Sequence, residues 1–547
     1  MLETLPVRWL LPTVLPLLRL LLVAVLRGAD QGNYSPPAVL QNTYDFVIVG
    51  GGTAGCVLAA RLSEVSDWKV LLLEAGSAPP PESLVPGLSR VFYFPSGATW
   101  DYRLHPQQHA LRNFVNRSSP VPQGRVLGGS SAINGMLYVR GNRRDFDHWA
   151  ALGNPGWDYD SVLPYFRKAE DYRGGPLPAT ESFHGHGGPL PVTPKNDKQL
   201  FTNSFLEAGQ YLGFSVLDPS GPEQIGFAPT DYTTKNGERW HTARAYLNQA
   251  ASRSNLHIVT GATVLKVIFN KDKRAVGVQY KLGRKVREVS ARREVVLSAG
   301  ALSSPKLLML SGVGPSYHLH HHGVKVLVDL AGVGQNLHDH TCLYGLTWNL
   351  QEGTTSTVLN AVNPKVVSDY VHYRKGPYAT PLGEFGHAWA RVHGDEDPYW
   401  PDVQLYMVSS GLAQEGLLAA AALGLDTKMF LQHYGPLFGR PGMTIMPYLT
   451  RPKSRGAITL RSRDPLDPMV IDPNYLSHPD DVTTLVNGIK LAVQIGKSPP
   501  FVKKLGAKLH TKSERCGRTA RCGRFGDAVG GVWQPHGGHH HDSRAGG

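Results

Sequence analysis

Three glycines and one acid carry the clearest chemistry in this 547-residue sequence. Gly50, Gly52 and Gly55 stand at G-x-G-x-x-G spacing, and Glu74 follows roughly 20 residues later. The first glycine permits a tight turn, the second lets backbone N–H groups approach a pyrophosphate, and the third lets a following helix pack close to its strand. Backbone amides at a helix N-terminus then hold the anion. A carboxylate at Glu74 can accept both ribose hydroxyls of an adenosine, and its charge repels a 2′-phosphate, which argues against NADP. Alone, the glycines could be no more than a glycine-rich turn.

The elements that must position them surround them. Residues 44–49 form a short apolar run suited to a buried parallel strand. Val57, Leu58, Ala60, Arg61 and Leu62 continue as a helix with an apolar face, and residues 69–73 read as a second strand ending at Glu74. Strand, glycine turn, helix, strand and acid together predict a dinucleotide-binding βαβ unit.

Other chemistry-bearing residues read as structural. His318, His320, His321 and His322 cannot all share one helix face, so a helix end closed by Gly323 is expected in place of a metal site. His241 lies in a turn and is expected to be structural. Cys56 reads as a small buried residue and Cys342 has no evident partner. Cys516 and Cys522 are poorly spaced for structural zinc, and His539, His540 and His541 offer only an adventitious metal contact. No resident metal is expected.

A chain this long predicts two or more domains. The net charge of +13 is uneven, with ten Lys/Arg against Asp272 and Glu288 in residues 266–293. Alternation there suggests a solvated face of hairpin strands, and neither aromatic interleaving nor zinc-ligand spacing points to nucleic acid. If the patch binds anything, an anionic polysaccharide or membrane surface fits it. Residues 1–29 pair basic residues with an apolar core and small residues near Ala29, which predicts a secretory signal peptide. Pro12, Pro16 and Arg19 interrupt the run and oppose a membrane anchor. Sequons at Asn33 and Asn116 agree with a secreted, extracellular location.

Beyond the βαβ unit, residues 124–135 form a second glycine-rich stretch, GRVLGGSSAING, suited to passing backbone against a flat ring. This stretch resembles the first signature of the glucose/methanol/choline (GMC) flavin oxidoreductases, and residues 300–314, GALSSPKLLMLSGVG, resemble the second. Residues 98–102 and 332–340 resemble two further family landmarks, and turns at 455–456, 464–465 and 472–475 resemble the family as well. The similarity runs from about Tyr44 to about His510, and within the family the chain looks most like the insect glucose dehydrogenase type.

The resemblance implies FAD, with Gly50, Gly52, Thr53, Ala54, Gly55 and Glu74 on the adenosine and pyrophosphate side. It implies that Val126, Gly128, Ser130, Asn134, Gly135, Met136 and Leu137 lie along the flavin and its linker, and that the backbone of Val264 contacts adenine. Members that attach FAD covalently carry a histidine just before the signature asparagine; Ile133 stands there, so noncovalent FAD is expected. The resemblance further implies that hydride passes from an alcohol or sugar to the flavin and on to a quinone-like acceptor.

The expected fold class is α/β, an FAD-binding Rossmann-like domain with a second α+β substrate domain built on an antiparallel sheet. Residues 30–43 read as a linker and 44–340 mainly as the FAD domain, with 155–255 partly in the substrate domain. Runs at 403–408, 443–449 and 457–460 predict the substrate sheet within 341–477. Residues 478–510 begin with a helix over 480–496, and 159–172 reads as another.

The family places its catalytic base on a histidine in a His-x-x-Gly-Thr motif near the C-terminus, which is absent here. Residues 513–547 contain no Leu, Ile, Met, Tyr or Lys and read as a tail foreign to the family. His536, followed by Gly537 and Gly538, lacks the threonine. His338 and His340 are expected to be structural. No catalytic residue is assigned, and two readings stay open: a secreted dehydrogenase whose coding sequence continues in another frame past Lys512, and a truncated, catalytically inactive flavin-binding protein. A nicotinamide-dependent Rossmann enzyme is disfavoured by the flavin-type motifs.

Overall fold

The computed structural model describes residues 34, 39–93, 96–175, 177, 179–194, 200–354, 363–381, 386–394, 397–409, 412–438 and 440–510. The expected signal peptide, the tail beyond Lys512, His536, and Cys516 with Cys522 lie outside the described residues.

Strand β1 (Thr43–Val49) is buried from Tyr44 onward, as its apolar run Phe46–Val49 requires of a strand covered on both faces. It leads through the glycine turn into α1 (Thr53–Leu62) and then β2 (Val70–Leu73). Four further strands complete the sheet: β3 (Leu256–Val259), β4 (Ala262–Phe269), β5 (Ala275–Leu282) and β6 (Lys285–Leu297). The order is β3-β2-β1-β6-β5-β4. β3, β2, β1 and β6 run parallel, while β4, β5 and β6 form an antiparallel meander.

This sheet sits between two apolar layers. Phe46, Ile48, Val70 and Leu72 pack with Cys56 and Ala59 of α1 and with Ala243 and Leu247. Val47, Val49, Leu71 and Leu73 pack with Val278, Val289 and Leu307, the last from helix α2 (Gly300–Leu310).

Two sequence expectations change here. The runs 286–290 and 294–299 are one strand, because β6 leaves its antiparallel partner β5 at Ser290 and pairs with β1 from that residue on. The run 256–269 divides at Gly261, which has φ 68°.

The second sheet is wholly antiparallel. It contains β7 (Thr347–Asn349), β8 (Gly386–Ala390), β9 (Val403–Val408), β10 (Gly442–Leu449), β11 (Lys508–Leu509) and the short strand Gly226–Ala228. Its order is β11-β7-β10-β9-β8 and then Gly226–Ala228. Alternation sends Trp348, Ala388, Leu405, Met407, Met443 and Ile445 into a core with Phe205, Leu491, Ile495 and Phe501. The last three belong to helices α3 (Pro479–Lys497) and α4 (Pro499–Leu505).

The strand Ala457–Thr459, expected in this sheet, pairs instead with Val470–Asp472 as a separate ribbon. The helix expected over 159–172 stops at Ala169, and Glu170–Tyr172 turns into a strand paired with Leu190–Pro194. His318 to His321 end a short helix, Ser316–His321, with Gly323 at φ 66° just beyond. Among the described residues no helix is long and apolar enough to cross a membrane.

Candidate dinucleotide site

The parallel strands finish level. Val49 pairs with Leu73 and with Leu297, and Leu73 pairs with Val259, so four carboxyl ends open on one crevice beside β1. Open α/β sheets bind ligands at such an edge. Gly50 turns the chain at φ 98°, where a Cβ would come within 2.7 Å of the Ser298 carbonyl oxygen. At Gly55 a Cβ would lie 1.9 Å from the Gly50 oxygen, so only glycine lets α1 sit against the turn. Gly52 differs: a Cβ there meets nothing nearer than 3.9 Å. Its glycine is therefore not demanded by contacts within the protein, which leaves space for a ligand.

No side chain caps the N-terminus of α1, and its first turn holds no acid. Unfilled N–H groups and the positive end of the helix dipole are thus available to an anion.

Glu74 is buried, and its two oxygens are both engaged. Oε2 accepts the Gly51 N–H at 2.8 Å and Oε1 the Gly76 N–H at 2.8 Å. Burial pushes its carboxyl up to about 7, against the pull of those N–H groups and of Arg125. Each oxygen retains a further lone pair for a hydroxyl donor.

The second glycine stretch is bound to the first. Gly128 N–H donates to the Gly51 carbonyl at 2.8 Å, and the Cys56 thiol donates to the same oxygen at 3.1 Å. Burial raises that thiol to about 12, which suits a packing role.

A cavity of about 790 Å³ fills the crevice. Of the sequence-predicted residues, Gly50, Gly52, Thr53, Ala54, Glu74, Ser130 and Val264 line it. Gly55 and Gly128 stand behind this lining as packing and hydrogen-bonding residues. Val126 is buried in a cluster with Phe92, Ala98, Ala132 and Ile133. Asn134, Gly135, Met136 and Leu137 do not line the cavity. Asn134 is exposed, Met136 is buried at φ 62°, and Leu137 bridges to Tyr232.

Sequence reasoning did not single out other lining residues, among them Trp100, Tyr102, Arg125, Ser303 and Lys306. Arg125 lies over the Trp100 ring at 4.5 Å, and the Tyr102 hydroxyl meets Ser303 Oγ at 3.1 Å. Lys306 donates to the carbonyls of Pro465 and Asp467, tying the far wall to α2. Trp100 and Tyr102 fall in a family landmark, Arg125 in the first signature, and Ser303 and Lys306 in the second, and those stretches were the available signal.

No histidine lines the cavity among the described residues. His241 is buried, and burial, reinforced by Arg239 and Arg244, pushes it down to about 3, so it stays neutral; its Nδ1 accepts the Arg244 N–H. His338 and His340 are exposed. His387, on β8, is likewise held neutral by burial, at about 3.

A Rossmann-like sheet whose glycine turn, uncapped helix and ribose-ready acid meet at one cavity defines a dinucleotide-dependent protein. Comparison with known proteins narrows the class. GMC oxidoreductase family profiles match residues 44–342 and 452–538. The second match runs past His510, where the resemblance read from the sequence stops. Glucose dehydrogenase [FAD, quinone] of Drosophila melanogaster is 39% identical over 472 residues, covering 85% of this chain and 72% of the fly protein. Oxygen-dependent choline dehydrogenase of Brucella anthropi is 37% identical over 477 residues, covering 85% and 80% respectively. Among solved structures, a formate oxidase variant of Aspergillus oryzae, studied for its effect on FAD modification, superposes with TM-score 0.74 at 28% identity, covering 86% of this chain and 84% of that one. The chain belongs to the GMC oxidoreductase family. By family it is an FAD oxidoreductase acting on alcohol- or sugar-type substrates.

Proposed function

We propose that this chain binds FAD noncovalently in the 790 Å³ cavity, oxidises the CH–OH group of an alcohol or sugar, and passes the electrons to a quinone-like acceptor. The observation that carries the reading is the joining of the uncapped α1 N-terminus, the open space at Gly52 and the lone pairs of Glu74 in one cavity. FAD, when bound, supplies the hydride-accepting ring. The residues present fit it: the amides of Gly52 to Ala54 suit the pyrophosphate, Glu74 the ribose, and Val264 the adenine side. Gly128 holds the neighbouring loop against the turn, Ser130 Oγ accepts the Gly124 N–H within that loop, and Asn134 to Leu137 continue it toward the flavin side.

Noncovalent binding is supported by Ile133, whose apolar side chain packs with Phe92, Ala98 and Val126 and offers no nucleophile. A quinone-like acceptor is supported by the fly relatives, which are named for it. The face of the second sheet opposite the helices carries His387, Gln404, Tyr406, Thr444 and Tyr448; the half-buried Tyr406 and Tyr448 suit a substrate wall, backed by the buried His387, Gln404 and Thr444. A signal peptide in residues 1–29 and secretion complete the reading.

Oxidation of CH–OH also needs a group to take the hydroxyl proton. The cavity offers no histidine for this among the described residues, and that observation favours a second reading, a flavin-binding chain without turnover. Acid precipitation of the purified yellow protein tests the cofactor claim. FAD released into the supernatant is expected, and FAD retained in the pellet contradicts noncovalent binding. Steady-state assays comparing a soluble quinone with oxygen test the acceptor; faster turnover with oxygen contradicts it.

A further inference from the structure

Arg239 has no exposed surface and ends a hairpin whose turn, Asn236-Gly237, has positive φ at both positions, as a tight I′ turn needs. Its neighbour Glu238 is committed elsewhere, to Arg244 and Arg374. Among the described residues no carboxylate forms an ion pair with Arg239. Nε donates to the Ser83 carbonyl at 2.7 Å, and Nη1 donates to the Ser131 carbonyl at 3.2 Å and to Asn134 Oδ1 at 2.7 Å, while Nη2 finds no partner. A buried guanidinium without an anion is costly, so its retention calls for a function.

The hydrogen bonds at Asn134 show what that function is. Its Oδ1 also accepts the Met136 N–H at 3.1 Å. A guanidinium and a backbone N–H can only donate, so the atom between them must be the oxygen, and the amide nitrogen takes the other branch. Asn134 is exposed, and its N–H donates to the carbonyl of Ser130, which lines the cavity. Oδ1 is thus taken up by Arg239 and Met136, while among the described residues the side-chain amide nitrogen of this exposed residue has no hydrogen-bond partner, so both of its hydrogens are left for a ligand.

We propose that Arg239 is a positioning residue: it locks the Asn134 amide so that the NH2 group faces the flavin as a donor, and its unneutralised charge strengthens that donor. The inference rests on the FAD reading above. Lysine cannot reproduce the arrangement, because one ammonium cannot span three acceptors held in a planar fork.

The test is the two-electron potential of bound FAD in the full-length chain, with FAD affinity as a second readout. Arg239→Lys and Asn134→Ala are each expected to weaken the preference for reduced over oxidised FAD about tenfold, a fall of about 30 mV. The double variant is expected to fall no further, because the two act as one unit. Additive falls, or a fall in Asn134→Ala with none in Arg239→Lys, would overturn the proposal. Asn134→Asp covers the case in which the arginine variant does not fold. It keeps the acceptor for Arg239 and Met136 but loses the donor, so an unchanged potential would overturn the proposal equally. A wild-type chain that takes up no FAD defeats the cofactor reading itself, a separate and distinguishable result.

Discussion

Glu74 Oε2 accepts the N–H of Gly51 at 2.8 Å, so the acid ending β2 braces the glycine turn ending β1. The ribose-binding group and the pyrophosphate-binding loop are one connected unit, and a change at either is felt at both. Glu74→Gln would place an amide NH2 against one of two backbone donors. This is expected to cost roughly 1–3 kcal/mol of stability and, through the loop, roughly tenfold to hundredfold in FAD affinity. Burial raises the carboxyl to about 7 in the cofactor-free chain. Its contribution to cofactor-free stability is thus full below the ordinary glutamate value and lost as pH rises through about 7. Ribose hydroxyls favour the ionised form, so FAD affinity should rise with pH across the same window, and Glu74→Gln should flatten that dependence. Flavin fluorescence titrations from pH 6 to 8 measure both.

Gly52→Ala and Gly55→Ala separate ligand space from packing. At Gly52 the backbone lies at φ −76° with open space, so alanine should leave the fold within about 0.5 kcal/mol while lowering FAD affinity at least roughly tenfold. At Gly55 the added carbon would overlap the Gly50 oxygen, and a loss of about 1–3 kcal/mol or more is expected. Thermal melts with and without FAD distinguish them: Gly52→Ala melts like wild type without FAD, and Gly55→Ala does not.

A buried ionic cluster beside the strand Glu170–Tyr172 should give the fold an alkaline limit. His184 Nε2 meets Asp218 Oδ2 at 2.8 Å, its Nδ1 meets Glu170 at 3.3 Å, and Glu170 also pairs with Arg140. Although burial opposes its charge, these partners raise His184 from 6.5 to about 9. A raised value means stability fully present below pH 6.5 and lost as pH climbs through about 9. His184→Gln is expected to cost roughly 2–4 kcal/mol near pH 6, with the gap from wild type closing above pH 9. Denaturant unfolding at pH 6, 8 and 10 checks it, and a gap constant across that range would contradict the assignment.

Much of this site can be read in the sequence because its physics is local. A strand buried on both faces shows as an unbroken apolar run, and a glycine turn followed by a helix and an acid has fixed spacing, so Gly50, Gly52, Gly55 and Glu74 were placed without coordinates. The far wall was not legible. Ser303, Lys306 and Pro465 reach the cavity from distant segments; each lies in a stretch that resembles the family, but spacing along the chain does not show that the segments meet. Nothing in the sequence marks Arg239, since only tertiary packing buries it and leaves it without a counter-ion among the described residues. The strand Ala457–Thr459 was given the wrong partner because a short alternating run specifies a face but no neighbour.

The central claim is that the cavity beside Gly52 and Glu74 serves alcohol or sugar oxidation through bound FAD. The most direct measurement is an anaerobic visible spectrum of the purified full-length chain, followed at about 450 nm as a panel of sugars and primary alcohols is added. The account predicts bound flavin that loses its colour with at least one member of the panel and regains it when a soluble quinone is supplied. A chain that holds flavin and keeps its colour with every sugar and alcohol would contradict the claim and favour a flavin-binding protein without turnover.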